Sequence, residues 1–296
     1  LVTHTVYLPK SVHSDFEGYD YLIMLIDELK VFDNSLIVFD FKKVFFIEAN
    51  LCALLGAIFE ILETKKNIIS VVNMNDGVMS ILCKNEFLLK FGLSTVIDYH
   101  DTSITYKKFT PNDDTSFREY ITTQLINRND FPTVSKELSK NIVQNIFEIY
   151  ENARTHGLCE FIHTCGQYYP NKEGRPLYFT IVDKGMNIKE NVSLFLKRDI
   201  SAEEAIKWAM VKGNSTKTGT ISGGLGLAII FEFIMHNKGM IQVISSNGYY
   251  EYRNGVIEMN TFNYVFDGTI VNIKFNFNDT NVYWLKEEEE NFDNIF

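Results

Sequence analysis

The sequence predicts two units of different class. A small α/β sandwich is expected over residues 1–101, and an α+β unit over 102–285, with helices on one face of a mixed, mostly antiparallel sheet; an acidic tail follows at 286–296. Three observations carry this. The first third alternates short apolar runs with helically spaced segments. A polar seam near residues 101–116 holds Pro111-Asn112-Asp113-Asp114. Beyond it, a long apolar helical pattern gives way to a succession of strand patterns.

Taken in order, residues 2–8 read as a strand, and 19–29 as a helix with Leu22, Ile26 and Leu29 on one face. Residues 36–39 form a buried strand, 51–62 a helix, 68–72 a strand, 78–83 a helix and 95–99 a strand, giving βαβαβαβ. The seam itself holds a short strand candidate at 104–109, and helices follow at 117–126 and 135–155. Strands follow at 160–167, 177–182, 242–245, 249–252, 256–263 and 269–277. A helix over 202–210 opens with Ser201 and carries Glu204 three positions on, a capping box. Another is expected over 225–236.

The chain has 296 residues, 46% of them apolar, enough for a core in each unit. A formal net charge of -10 opposes non-specific binding to nucleic acid or to an anionic membrane. The longest uncharged apolar run, near residue 51, breaks at Glu60, short of the roughly 20 residues that span a bilayer. The N-terminus lacks a signal peptide's layout, so a cytoplasmic location is expected. Cys159, His163 and Cys165 make a weak metal set, because zinc usually takes a fourth ligand and no paired CxxC is present. Free buried thiols are the favoured reading of all four cysteines. The run Lys286-Glu287-Glu288-Glu289-Glu290 reads as the start of a solvated tail.

Three islands carry the chemistry. The first is Glu148-Ile149-Tyr150-Glu151-Asn152-Ala153-Arg154-Thr155-His156. On a helix, Ile142, Ile146, Ile149 and Ala153 form an apolar stripe that Val143, Phe147 and Tyr150 widen, while Asn145, Glu148, Asn152 and Thr155 share a polar one. Burying such polar groups unpaired costs roughly 2 to 7 kcal/mol each, so the polar stripe calls for a partner or a wet cavity. An ATP-Mg complex is such a partner: the Asn152 amide oxygen suits magnesium, and Glu148, one turn earlier, suits a general base. A plain solvated stripe is the competing reading. The second island is Asp183-Lys184-Gly185-Met186-Asn187, which follows the apolar run Tyr178-Phe179-Thr180-Ile181-Val182. A strand that ends in a carboxylate delivers an acceptor for the adenine exocyclic amine; an ordinary strand-end turn is the alternative. The third is Gly223-Gly224-Leu225-Gly226-Leu227, glycines that let backbone N–H groups approach phosphate at a helix start. Between the last two lies Lys212-Gly213-Asn214-Ser215-Thr216-Lys217-Thr218-Gly219, polar and basic, with the character of a lid. Lys212 and Lys217 suit phosphates there, or are solvated loop lysines.

In this order the islands resemble the N, G1 and G2 boxes of the GHKL superfamily, which unites gyrase, the ninety-kilodalton heat-shock chaperones, histidine kinases and mismatch-repair ATPases. The resemblance covers residues 104–277. It implies the ATP-binding fold of that family, ATP and Mg2+ as cofactors, and Glu148 as catalytic base. Asn152 would hold magnesium, and His156 falls where relatives carry a basic residue near the phosphates. Asp183, Gly185, Asn187, Lys212, Gly223, Gly224, Leu225, Gly226, Leu227 and Thr269 would bind the nucleotide. The box departs from D-x-G-x-G at Asn187; asparagine tolerates left-handed backbone, so the turn is expected to survive with a less close approach.

The first unit is similar to a STAS domain, the fold of anti-anti-sigma factors, because a buried strand runs through Asp40 into Phe45-Phe46-Ile47-Glu48-Ala49-Asn50 at a helix start. Relatives often carry a phosphorylated serine or threonine at that turn; Glu48, Ala49 and Asn50 supply no hydroxyl, so no phospho-switch is expected there. Three functions follow from the resemblances: a slow ATPase switch whose lid closure alters a protein-interaction surface, a serine protein kinase like the anti-sigma factor kinases, or a non-catalytic ATP-binding module. A protein partner is implied through the STAS-like half or the lid. Many relatives dimerise, which implies a homodimer as one arrangement, with no heptad pattern to support it.

Overall fold

The computed structural model describes residues 1–156, 159–211, 213–214, 216, 227–285 and 288; of Thr155, His156 and 227–229 it describes the backbone course alone. The first unit runs β1 (Thr3–Tyr7), β2 (Ser11–Val12), α1 (Phe16–Leu29), β3 (Leu36–Asp40), β4 (Phe46–Ile47), α2 (Cys52–Thr64), β5 (Ile68–Val72) and α3 (Asp76–Lys84). β1, β3 and β5 form a parallel sheet in which Thr3, Leu36 and Ile68 share a row. Asp15 caps α1 by accepting from Gly18 N, and Asn75 caps α3 by accepting from Val78 N.

The strand expected over 95–99 does not form; residues 93–98 carry no regular secondary structure. Asp98 is the reason. Its carboxylate accepts from Thr102 N, Ser103 N and both hydroxyls at 2.7–3.2 Å, and Lys84 Nζ lies 3.4 Å away, which folds the segment into a local turn.

The second unit continues with β6 (Ser103–Phe109), α4 (Asp114–Ile121), β7 (Thr133–Val134), α5 (Lys136–His156), β8 (Ile162–Tyr168) and β9 (Pro176–Asp183). Then come α6 (Ile188–Leu196), α7 (Ala202–Met210), α8 (Leu227–His236), β10 (Met240–Arg253), β11 (Val256–Asn276) and β12 (Val282–Tyr283). The central sheet has the order β10-β11-β9-β8-β6. All four of its ladders are antiparallel, where a mixed sheet was expected. β10 bends at Ser246, whose φ is 55°, and Glu251 thereby returns to Gln242, 2.7 Å between Oε2 and Nε2. The capping box of α7 is present, with Ser201 and Glu204 bonded reciprocally.

Helices cover both faces of this sheet, a second departure from the sequence expectation. Along a strand successive side chains point to opposite faces. Phe179, Ile181, Val243, Val271 and Ile273 therefore pack with α4, α5, α7 and α8, whereas Cys165, Val182, Ile244 and Ile270 pack into the core of the first unit beneath α1 and α2. The result is a layered α/β molecule with eight α-helices among the described residues. The turn at Glu48, Ala49 and Asn50 lies in the interior, against the back of the sheet. Cys52, Cys83, Cys159 and Cys165 are free thiols and buried. Among the described residues, no helix is long and apolar enough to cross a membrane, and no group of three or more His, Cys, Asp or Glu is placed to hold a metal ion.

Candidate functional site

A row of polar side chains crosses three neighbouring strands at the end of β9, on the face that α5 and α8 cover. β9 ends in Asp183, whose register partner on β11 is Thr269, whose partner on β10 is Ser245. All three are buried. Ser245 Oγ lies 3.2 Å from Thr269 Oγ1, donates to Gly268 O at 2.7 Å and accepts from Ile188 N at 2.8 Å. The Asp183 carboxylate accepts from Gly185 N at 2.9 Å. Burial drives its pKa up to about 7, against the backbone N–H groups of Gly185 and Thr269, which pull it down. The group thus titrates near neutrality with no cation bonded to it among the described residues.

Gly268 fixes how closely β11 approaches this turn. Its φ is 143°, and a Cβ there would sit 2.1 Å from Asp183 O and 2.9 Å from Lys184 Cα. Asn187 departs from the left-handed geometry expected of it: φ is -71° and ψ 161°, and its side chain accepts from Glu190 N at 2.9 Å as the N-cap of α6. It starts a helix where the resemblance implied a turn. α6 itself went unread in the sequence because its cap stood in the position of the second box glycine.

α5 buries Ile142, Ile146, Phe147, Ile149, Tyr150 and Ala153, and Tyr150 OH donates to Thr110 O at 2.6 Å. Glu148 and Asn152 are half-buried on this helix. Asn145 is buried and its amide is turned onto its own helix, donating to Asn141 O at 2.6 Å, so it leaves the expected polar stripe. Arg154 is exposed and pairs with Glu151 at 2.9 Å. The last turn of α5 lies close to the strand-end row: Cys159 Sγ donates to Ala153 O at 3.2 Å, and the thiol is pushed up to about 12 by burial first and then by the Asp183 charge.

The structure therefore gathers Asp183, Gly185, Asn187 and Thr269 around one strand end, with Ala153 of the last turn of α5 near it through Cys159. The side chain of His156, Lys212, Lys217, Gly223, Gly224, Leu225, Gly226 and the side chain of Leu227 lie outside the described residues. α8 begins at Leu227 and packs on α5. Ser245 is the member that sequence reading missed; its signal is an apolar strand ending in a hydroxyl, as β9 ends in a carboxyl. A cavity of about 850 Å3 opens along α6, lined by Met186, Asn187, Ser193, Leu194, Ser246 and Val265 among others; it shares Asn187 with the strand-end group, and its lining does not include Glu148, Asn152 or Asp183.

No family model matches the sequence, and no curated protein matches it. Among solved structures the chain is similar to the histidine kinase domain from Erythrobacter litoralis EL346 blue-light activated histidine kinase, at 13% identity, covering 88% of this chain and 94% of that one, with a TM-score of 0.26. A TM-score of that size supports no inference about this chain, whose functional reading rests on its own residues.

Proposed function

We propose that this chain is an ATP-Mg-binding regulatory protein, a slow ATPase whose lid, residues 212–219, closes over the nucleotide and alters a surface read by a protein partner. One observation carries the reading: a buried carboxyl, Asp183, held among the described residues by backbone N–H groups and flanked by Thr269 and Ser245, stands at a strand end beside the last turn of α5. A carboxylate so placed has unused acceptor capacity and discriminates by donor pattern. The adenine exocyclic amine satisfies it; the guanine carbonyl at the same ring position repels it.

The donor set suits the magnesium complex of a nucleoside triphosphate. Asn152 offers an amide oxygen on a half-buried helix face, the ligand type that a hard cation prefers, and the ion would neutralise the phosphates. Glu148, one turn earlier on α5, would orient and deprotonate the attacking water. The partner surface is the lid or an exposed part of the first unit.

The test is a thermal shift of the full chain with ATP-Mg and with GTP-Mg. At one hundred times its dissociation constant ATP adds about 2.7 kcal/mol of stability, and GTP at the same concentration adds less. Equal shifts, or none with ATP, overturn the assignment. Glu148→Ala is expected to keep ATP binding and abolish phosphate release; release at the wild-type rate removes Glu148 as base. Radiolabel left on protein after incubation with labelled ATP would instead select the kinase reading.

A further inference from the structure

Glu60 is a buried carboxylate on α2, in the first unit, and its partners all belong to the second. Its Oε2 lies 2.6 Å from Lys108 Nζ of β6 and 3.2 Å from His163 Nε2 of β8, while Oε1 pairs with Lys184 Nζ. Tyr106 OH lies 2.9 Å from His163 Nδ1, on the ring nitrogen that does not face Glu60. Burial alone would raise the Glu60 carboxyl, but the adjacent His163, Lys108 and Lys184 outweigh it and hold the group down at about 2. It is an anion under any physiological condition.

Lys184 follows Asp183 in sequence, yet the strand's alternation sends the two side chains to opposite faces. Val182 packs in the first unit's core and Ile181 in the core under α5. His163, the register partner of Val182, lies against Glu60 on the same side. Glu60 thus holds the turn from the face away from the Asp183 carboxyl, with Lys184 only 14% exposed. From a third side Gly268 approaches so closely that a Cβ there would meet Asp183 O and Lys184 Cα. The Lys184 side chain is held on one face and the backbone is crowded at Gly268, and rotation of this turn is what would re-aim the carboxyl.

We propose that Glu60 is a positioning residue of the nucleotide site: through Lys184 it sets the rotation of the 183–185 turn, so that α2 of the first unit governs how strongly the second unit reads adenine. This rests on Asp183 being the adenine acceptor. It also makes the first unit a regulator in the thermodynamic sense. Whatever draws α2 from the sheet weakens ATP binding, and ATP binding by the same factor disfavours that displacement.

The test uses the full chain, titrated with ATP-Mg and GTP-Mg, alongside the melting temperature of the nucleotide-free protein. Lys184→Met is expected to weaken ATP about tenfold and leave GTP unchanged, lowering the ratio of the two affinities. Lys184→Arg, which keeps charge and reach, restores most of that ratio; a merely structural role would lower the melting temperature and leave the ratio alone. Glu60→Gln added to Lys184→Met changes the ratio little further, since both act through one contact. If Glu60→Gln fails to fold, Lys184→Met still decides. A wild-type ratio in Lys184→Met, while Asp183→Asn loses ATP, overturns the positioning role alone. A wild-type ratio in both overturns the adenine site and the positioning role together.

Discussion

At the scale of single residues, the Asp183 carboxyl sets a conflict between stability and binding. Its folded pKa of about 7 stands above the ordinary 3.8, so the folded state holds the proton more tightly than the unfolded chain does. The stabilisation from the neutral group is complete below about pH 4. It falls by about 1.4 kcal/mol per pH unit as the pH climbs, and is lost once the pH passes about 7. Binding runs the other way, because the adenine amine needs the ionised acceptor. Asp183→Asn removes the titration and keeps an oxygen for Gly185 N. The nucleotide-free variant should therefore match the wild type near pH 4, exceed it in stability at pH 8, and bind ATP poorly. Urea midpoints of both proteins at the two pH values check this; a gap that does not widen with pH means the carboxyl is not held neutral by the fold.

At the scale of elements, the site depends on how β11 is set against the end of β9. Gly268→Ala places a methyl group 2.1 Å from Asp183 O at a φ of 143°, so either the ladder or the turn must yield. The expected outcome is a loss of more than about 2 kcal/mol in denaturant titration together with weaker ATP binding; unchanged ATP affinity would show that the close approach is dispensable. Asn187→Ala should cost about 1 kcal/mol through the lost cap of α6. Much of this architecture was legible in the sequence, because its signals are local. The apolar run 178–182 announced β9 and its terminal carboxyl, and the spacing of Ser201 and Glu204 announced α7. What escaped was set by distant partners. The 95–99 segment has strand composition but is taken by the bonds of Asp98, and Ser245 meets Thr269 only through ladder register. Glu60 read as the end of an apolar helical run, since nothing near it in sequence reveals three basic partners drawn from three other segments.

At the scale of the whole molecule, the two units share a polar seam as well as an apolar one. Asn50 Nδ2 donates to Ser14 Oγ at 2.7 Å and to Thr180 Oγ1 at 2.9 Å, and Gln242 Nε2 donates to Ser14 O at 3.0 Å. Gln167 Oε1 accepts from Ala49 N at 2.7 Å. Thr180, Asn272 and Gln242 are fully buried beneath the first unit, and Val182, Ile244 and Ile270 complete its core. A sheet whose back carries amides among aliphatics is matched to one partner. Removing that partner exposes the aliphatics, and covering them with any other apolar surface would strand each amide at about 1–3 kcal/mol. Residues 102–296 expressed alone should therefore give no cooperative melting transition, and the full chain should melt in one, with calorimetric and van't Hoff enthalpies in agreement. Within the full chain, Asn50→Leu should cost about 3 kcal/mol or more, since it removes the donor shared by Ser14 and Thr180 and sets a larger aliphatic branch among polar atoms. Two resolved transitions in the full chain, or a 102–296 fragment that melts cooperatively, would mean that the units fold apart and that the buried amides contribute nothing to their union.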